Sequence, residues 1–265
     1  MSSSQRWLLF WGAVLIWLAL CFLLKALGVI GDVLGYFWAG FLLLAGIGLV
    51  VSALIPAQPV SGEEVVIVDL QGARQASVEI EHGAGQMEVT GGAPPGAALT
   101  VSRGTGMKVV SRMEGDRLAV KVECGPSFAP VVGPEGGVWY FRLTDEVPLT
   151  LSVESGASQM TLNLRDLPIT YCKLETGASS VTLIPPARVA NALVDVEAGA
   201  ALLNVQIPEG VAARIRFKDD LSARNIDQGR FPRLEEGIYQ SADYDSAAYR
   251  VELHLEAGVS SVTVR

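Results

Sequence analysis

One phrase occurs five times in this chain: Glu, any residue, Gly, a small residue, two more, then apolar, any, apolar. It runs from Glu81 to Val89, Glu154 to Leu162, Glu175 to Leu183, Glu197 to Val205 and Glu256 to Val264. Five and three residues before each glycine stand Val78 and Ile80, Leu151 and Val153, Cys172 and Leu174, Val194 and Val196, Leu253 and Leu255. Four and six residues after come Met87 and Val89, Met160 and Leu162, Val181 and Leu183, Leu203 and Val205, Val262 and Val264. All twenty positions are apolar. A spacing of two on each side of a Gly-centred turn predicts strand, turn, strand, with alternate side chains on one buried face.

Three of the phrases, around Gly156, Gly177 and Gly199, are separated by 21 and 22 residues. At that spacing each unit supplies two short strands and two turns, one coil of a β-solenoid or one rib of a stacked sheet. One coil cannot cover its own apolar face, but stacked neighbours can. Proline and glycine at Pro168, Pro185-Pro186 and Pro208-Glu209-Gly210 stop the strand and fix the second reversal. The phrase glycine itself is expected in a left-handed or bulged bend, so that Gly177→Val would unfold its coil. The longer gaps hold degenerate coils, with strands expected over Leu99–Val110, Arg117–Glu123 and Ala212–Phe217.

The apolar residues are unevenly placed. Residues 7–55 hold four of the five Trp and only two charged side chains, Lys25 and Asp32. Roughly residues 7–24 form a run about 27 Å long as a helix, and 35–55 a second of about 31 Å, against a hydrocarbon core of about 30 Å. The expected organisation is a two-helix transmembrane hairpin in residues 1–56, a linker over 57–64 and an all-β repeat domain over 65–265. Gly35/Ala39 and Gly48/Ser52 are small pairs that permit close helix contact. Two crossings return the chain to its starting side, and Arg6 with the amino terminus leans that side towards the cytoplasm. The whole chain carries a net charge of −8 and the soluble part is more acidic still, which excludes phosphate-backbone binding. Cys21 reads as a buried span residue, and Cys172, in an apolar column, as a buried free thiol.

The segments Gly177–Pro186, Val205–Ala212 and Tyr244 through Val264 resemble the bacterial toast-rack, adhesin-like β-repeat family, and the C-terminal domain of LiaF-type cell-wall-active antibiotic response proteins. Trp11–Ile16, Leu24–Gly28 and Trp38–Gly46 are similar to a LiaI/LiaF-type transmembrane region. The resemblance implies a β-repeat scaffold with no catalytic residues to carry over. It also implies cell-envelope stress sensing or regulation through another membrane protein, such as a sensor kinase.

Candidate chemistry is sparse. The repeated Glu two before each glycine would put Glu154, Glu175 and Glu197 about 4.8 Å apart in a stack, repelling by roughly 1 kcal/mol per pair in water. Each carboxylate is expected to accept N–H bonds from its own glycine turn, the functional alternative being a ladder for a cation such as Ca²⁺. In Trp139-Tyr140-Phe141, at least one of three consecutive aromatics in a strand must point away from the core, offering a partner contact. His82 lies in the first glycine turn and His254 on the outer side of the last strand. No metalloprotease, Cys-x-x-Cys, phosphate-loop or nucleophile-elbow motif occurs, so the reading is a non-enzymatic protein without catalytic residues, cofactor or metal. Two functions fit: sensing or regulation through protein or ligand contacts, or a structural or adhesive surface module. The partners to expect are the lipid bilayer, another membrane protein and a second copy of the chain.

Overall fold

The computed structural model describes residues 16–28, 31–38, 40–42, 65–102, 107–124, 138–218, 223–258 and 260–265. The chain divides into two compact units, one carrying the N-terminal helices and the other all the strands.

In the first unit, residues 16–26 are helical, and helix resumes over 33–38 and 40–42. Asp32 caps the second helical segment: its Oδ1 accepts N–H bonds from Leu34 at 3.1 Å and Gly35 at 3.2 Å. The indole of Trp17 packs onto Gly40 so closely that any side chain there would overlap the ring. Of the expected small pairs, Ala39, Gly48 and Ser52 lie outside the described residues. Among the described residues no helix is long and apolar enough to cross a membrane. The expected crossings over 7–24 and 35–55 are not seen as such among the described residues, and their parts at 7–15, 39 and 43–55, like the linker 57–64, lie outside them.

The strand unit runs in chain order β1 (Val65–Asp69), β2 (Gln75–Gly91), β3 (Ala97–Ser102), β4 (Met107–Glu114), β5 (Arg117–Cys124), β6 (Val138–Leu143), β7 (Leu149–Asn163), β8 (Ile169–Ile184), β9 (Asn191–Val205), β10 (Ala212–Phe217), β11 (Ala223–Ile226), β12 (Arg233–Glu235), β13 (Ile238–Gln240), β14 (Arg250–Ala257) and β15 (Ser261–Val264). They form one sheet with two limbs, one before and one after the column of phrase glycines. β2, β7, β8 and β9 each pass through both limbs and pair in parallel, phrase against phrase. All twenty predicted positions lie inside, none more than 3 % exposed. Both limbs feed one core, closed at the short side by connections such as Leu164 and Leu167, both fully buried. Cys172 sits in that core as a free thiol, its pKa pushed up to about 12 by burial.

The phrase glycine does something other than expected. Among the described residues the positive-φ glycines include Gly85 and Gly210 but none of the five at the centre of the phrase. The strands run through without a left-handed turn. Instead the inward alternation slips by one residue: in β7, Ser155 and Ser158 face in while Gly156 and Ala157 both face out. The glycines are needed for stacking. A Cβ on Gly156 would lie 2.5 Å from the carbonyl oxygen of Gly83, one on Gly177 2.6 Å from that of Gly156, and one on Gly258 2.8 Å from that of Gly199. At Gly199 the gap to the Gly177 oxygen is 3.2 Å, and at Gly83 a Cβ meets nothing within 4 Å.

The rungs are also stacked out of chain order. β5 and β6 together form one rung, pairing in parallel with the two limbs of β2 on the side away from β7. β14 and β15 pair with the two limbs of β9, and β10 and β11 pair with their far sides. The first long gap in the repeat therefore holds a rung displaced to the outside of the preceding one, and the second a rung displaced to the outside of the following one, where degenerate coils in line were expected. Antiparallel strands finish the stack: β3 on β6 with β1 beyond it, β4 on β5, and β13 on β10 with β12 beyond it.

Gly177→Ala is expected to cost about 1–3 kcal/mol through overpacking against backbone, and Gly83→Ala to leave the chemical-denaturation midpoint within error of the parent. Equal effects of the two would show that stacking of carbonyl on glycine is not what selects the residue.

Candidate functional site

The glutamate row stands on the outer face of the first limb. Parallel register brings Glu123, Glu81, Glu154, Glu175, Glu197 and Glu256 side by side, one per rung. Glu154, Glu175 and Glu197 are thus neighbours, as the repeat predicted, and the row is longer than the phrase revealed. Glu123 comes from β5, which lacks the phrase.

Among the described residues, none of the expected bonds from a glycine turn to its own phrase carboxylate is seen. The phrase glutamates alternate outward, so their carboxylates face solvent and the strand N–H groups are engaged in the ladder. Lysines offset the repulsion instead. Lys121 bridges Glu81 and, at 3.0 Å, Glu79; Lys173 pairs with Glu175 and lies 3.8 Å from Glu197. The ends of the row carry cations as well. Lys108, in register with Glu123, approaches it to 3.3 Å, and Lys218 lies 2.5 Å from Glu256. The hydrogen bond from Lys121 holds the Glu81 carboxyl below the usual range, and Glu175 raises the pKa of Lys173. Two residues before the glutamates, Lys121, Glu79, Ser152, Lys173, Asp195 and His254 form a second row of mixed sign. There His254 faces out, with Nδ1 3.0 Å from Asp195. In the adjoining outer position burial opposes ionisation of Glu252, but Arg216 at 2.7 Å and His254 hold its pKa down.

Glu154, Glu175, Glu197 and Glu256 line an open groove with the backbone of Gly177, Gly199 and Gly258. Among the described residues no group of three or more His, Cys, Asp or Glu is arranged to hold a metal ion. The interleaved lysines account for how these carboxylates stay together, and the groove is a long charged surface.

The aromatic trio divides between core and surface. Phe141 is fully buried, and Trp139 lies stacked on it at 6.3 Å and edge-on to His82 at 6.2 Å. Tyr140 is 40 % exposed on the outer face of the second limb, on a different surface from the glutamate row. Sequence reasoning missed the importance of His82. It is 3 % exposed, inside the bend, level with Cys124 and Ser155, and among the described residues neither ring nitrogen has a hydrogen-bond partner. Burial lowers its pKa and pushes the Cys124 thiol up to about 12. The signal was available: the residue before each phrase glycine is His82, Ser155, Thr176, Ala198 or Ala257, an inward column that only His82 fills with a ring.

A family model described as the N-terminal domain of toast_rack, DUF2154, matches residues 56–206, more than half of the chain. The chain belongs to the toast-rack family. The matched region ends just past β9, so the displaced outer rungs β10–β11 and β14–β15 lie beyond it. A crystallised candidate cell adhesion protein from Clostridium sporogenes is similar to this toast-rack chain at 18 % identity and a TM-score of 0.69. The likeness covers 77 % of this chain and 98 % of that one, and at this identity it shows shared fold. A search of the curated proteins gave no match.

Two measurements probe the site. Lys173→Met is expected to lower thermal stability at low salt, with the difference shrinking at ~1 M salt, where charges are screened within about 3 Å; a salt-independent loss would mean that Lys173 acts by packing. For His82, whose folded pKa is depressed below 6.5, the unfolded chain binds the proton more readily. Its contribution to stability is full above that unfolded value and is lost as pH falls towards the folded one. Denaturant midpoints should therefore drop from pH ~7 to ~5, and His82→Leu should flatten that slope.

Proposed function

We propose that this toast-rack chain is a membrane-anchored, non-enzymatic module of the cell envelope that works by contact, as a structural or adhesive element presenting its charged ladder to envelope components. The observation that carries the reading is the glutamate row: six carboxylates held in register by backbone pairing and finished by a lysine at each end. Such a surface is rigid, periodic and long, which suits recognition of an extended or repeated partner better than chemistry at one point. The name given to the Clostridium sporogenes relative agrees with adhesion. Anchoring is supported by the helical residues: Ile16, Phe22, Leu23, Leu34, Trp38 and Leu42 are each more than half exposed, and lipid is the surrounding that such side chains suit.

A second reading, envelope stress sensing or regulation through another membrane protein such as a sensor kinase, rests on the likeness of residues 11–28 and 38–46 to a LiaI/LiaF-type region. It fits the slight bias of Arg6 towards a cytoplasmic N-terminus. The two differ in where the rack must stand. A cysteine at exposed Thr161, in a chain whose native cysteines are buried, reports the side through a membrane-impermeant maleimide on intact cells. Adhesion predicts labelling. Protection until the cells are lysed eliminates adhesion and leaves the regulator.

A further inference from the structure

An open sheet edge is a row of unpaired N–H and C=O groups, and most proteins guard such rows with charge, brevity or a covering element. Among the described residues the stack has four such edges: β4 and β12 on the first limb, β1 and β11 on the second. Three are guarded. β4 carries Lys108, Arg112 and Glu114; β12 is only Arg233-Leu234-Glu235. β11 is four residues long, and its Arg224 is level with the core residue Val262, its guanidinium 4.4 Å over the Phe217 ring.

β1 is different. It reads Val65-Val66-Ile67-Val68-Asp69, with no charge before its last residue. Val66 and Val68 turn towards the core side, whereas Val65 and Ile67 stand on the outer face, 47 % and 52 % exposed. Val65 is level with Ser102 on β3 and Tyr140 on β6, so the exposed tyrosine extends the same apolar patch inward from the edge. The one unguarded edge of the stack is therefore also flanked by exposed apolar side chains.

We infer that β1 is a homodimerisation edge, pairing antiparallel with β1 of a second copy of this chain across a two-fold axis at Ile67. A two-fold normal to the sheet is the operation that makes one open edge complementary to itself and keeps both core faces on the same side. Centred on Ile67, it sets Ile67 against Ile67, Val66 against Val68 and Val65 against Asp69. Centring it on Val66 would pair only Val65–Ile67, three residues instead of five. Pairing β1 with β11 of another copy would instead build an open filament, and there the polar Ala-Arg-Asn-Ile edge meets valine and isoleucine. The two-fold pair uses up both edges and stops at two chains. A five-residue strand pair falls well below the roughly 1,600 Å² of a standard interface, so the association is weak in dilute solution and strengthens when two chains share one surface.

The test uses the full-length chain with Ile67→Cys, whose native cysteines are buried, oxidised in membranes and read on a non-reducing gel. Residues facing each other across an antiparallel pair lie within disulfide reach. Ile67→Cys is expected to form a dimer of twice the chain mass about ten-fold faster than Thr161→Cys, which sits on the outer face of β7 far from the edge. Adding Val65→Glu to Ile67→Cys, which sets a second carboxylate against Asp69 of the facing strand, should bring the rate down to that of the Thr161→Cys control. Equal rates for the two single variants, no effect of Val65→Glu, or capture of a species of another mass would each overturn the inference. Far-UV circular dichroism matching the parent shows that the half-exposed substitutions leave the sheet intact.

Discussion

Everything in the strand unit depends on backbone meeting backbone at the column of phrase glycines. Adjacent parallel strands sit about 4.8 Å apart, and at the bend the carbonyl of one rung points at the α-carbon of the next. Where a side chain would begin, there is already an oxygen atom, 2.5–3.2 Å away on four successive rungs. Because that contact is repeated without offset, every residue before and after it falls level with its counterpart. Register then creates the rest: pure columns of Val, Leu, Ile and Met inside, and rows of like residue types outside. A one-residue slip would turn the buried columns to water, so the apolar pattern and the glycine contact enforce each other.

The fold was legible to the extent that this repeat repeats. Twenty apolar positions read from five phrases are all core, and the strands at Arg117–Cys124 and Ala212–Phe217 were visible from their alternation. The reason for the glycines was misread, because a local conformational need and a steric need of the neighbouring rung leave the same letter in the sequence. Gly83 and Gly177 look alike in the phrase, yet only Gly177 has a carbonyl against it. Rung order was illegible for a similar reason: β10 carries the same alternation whether it stacks on β9 or on β14, and only pairing chooses. At the site, the adjacency of Glu154, Glu175 and Glu197 followed from spacing alone. Lys173 stands two residues before Glu175 on the same strand, but Lys121 and Lys218 become partners of Glu81 and Glu256 only once rungs are laid side by side. His82 was overlooked because the residue before the glycine was assigned to a turn, where a histidine is unremarked, rather than to a buried column.

The two limbs present unlike surfaces from the same architecture. The first limb shows a row of carboxylates beside a row of mixed sign, in which Lys121 and Lys173 each serve two or more carboxylates. On the second limb the level positions beyond Tyr140 and Glu88 are Thr161, Thr182, Asn204 and Thr263, neutral and able to donate and accept. Salt and pH therefore act on one side of the molecule far more than on the other. The outer face that responds to ions and the one that does not are fixed by which side of the glycine a residue falls on.

Laying rungs out of chain order has a consequence for how this molecule comes into being. A solenoid wound in sequence can grow from one end, each new coil resting on the one just finished. Here β10 and β11 are synthesised before β14 and β15, the rung that joins them to β9. Until that later segment arrives, they have no parallel neighbour, and when it does it must slide between two surfaces instead of adding to one. Such non-local closure slows folding and ties the far end to the middle, so that the rack assembles and comes apart as a single piece rather than fraying rung by rung.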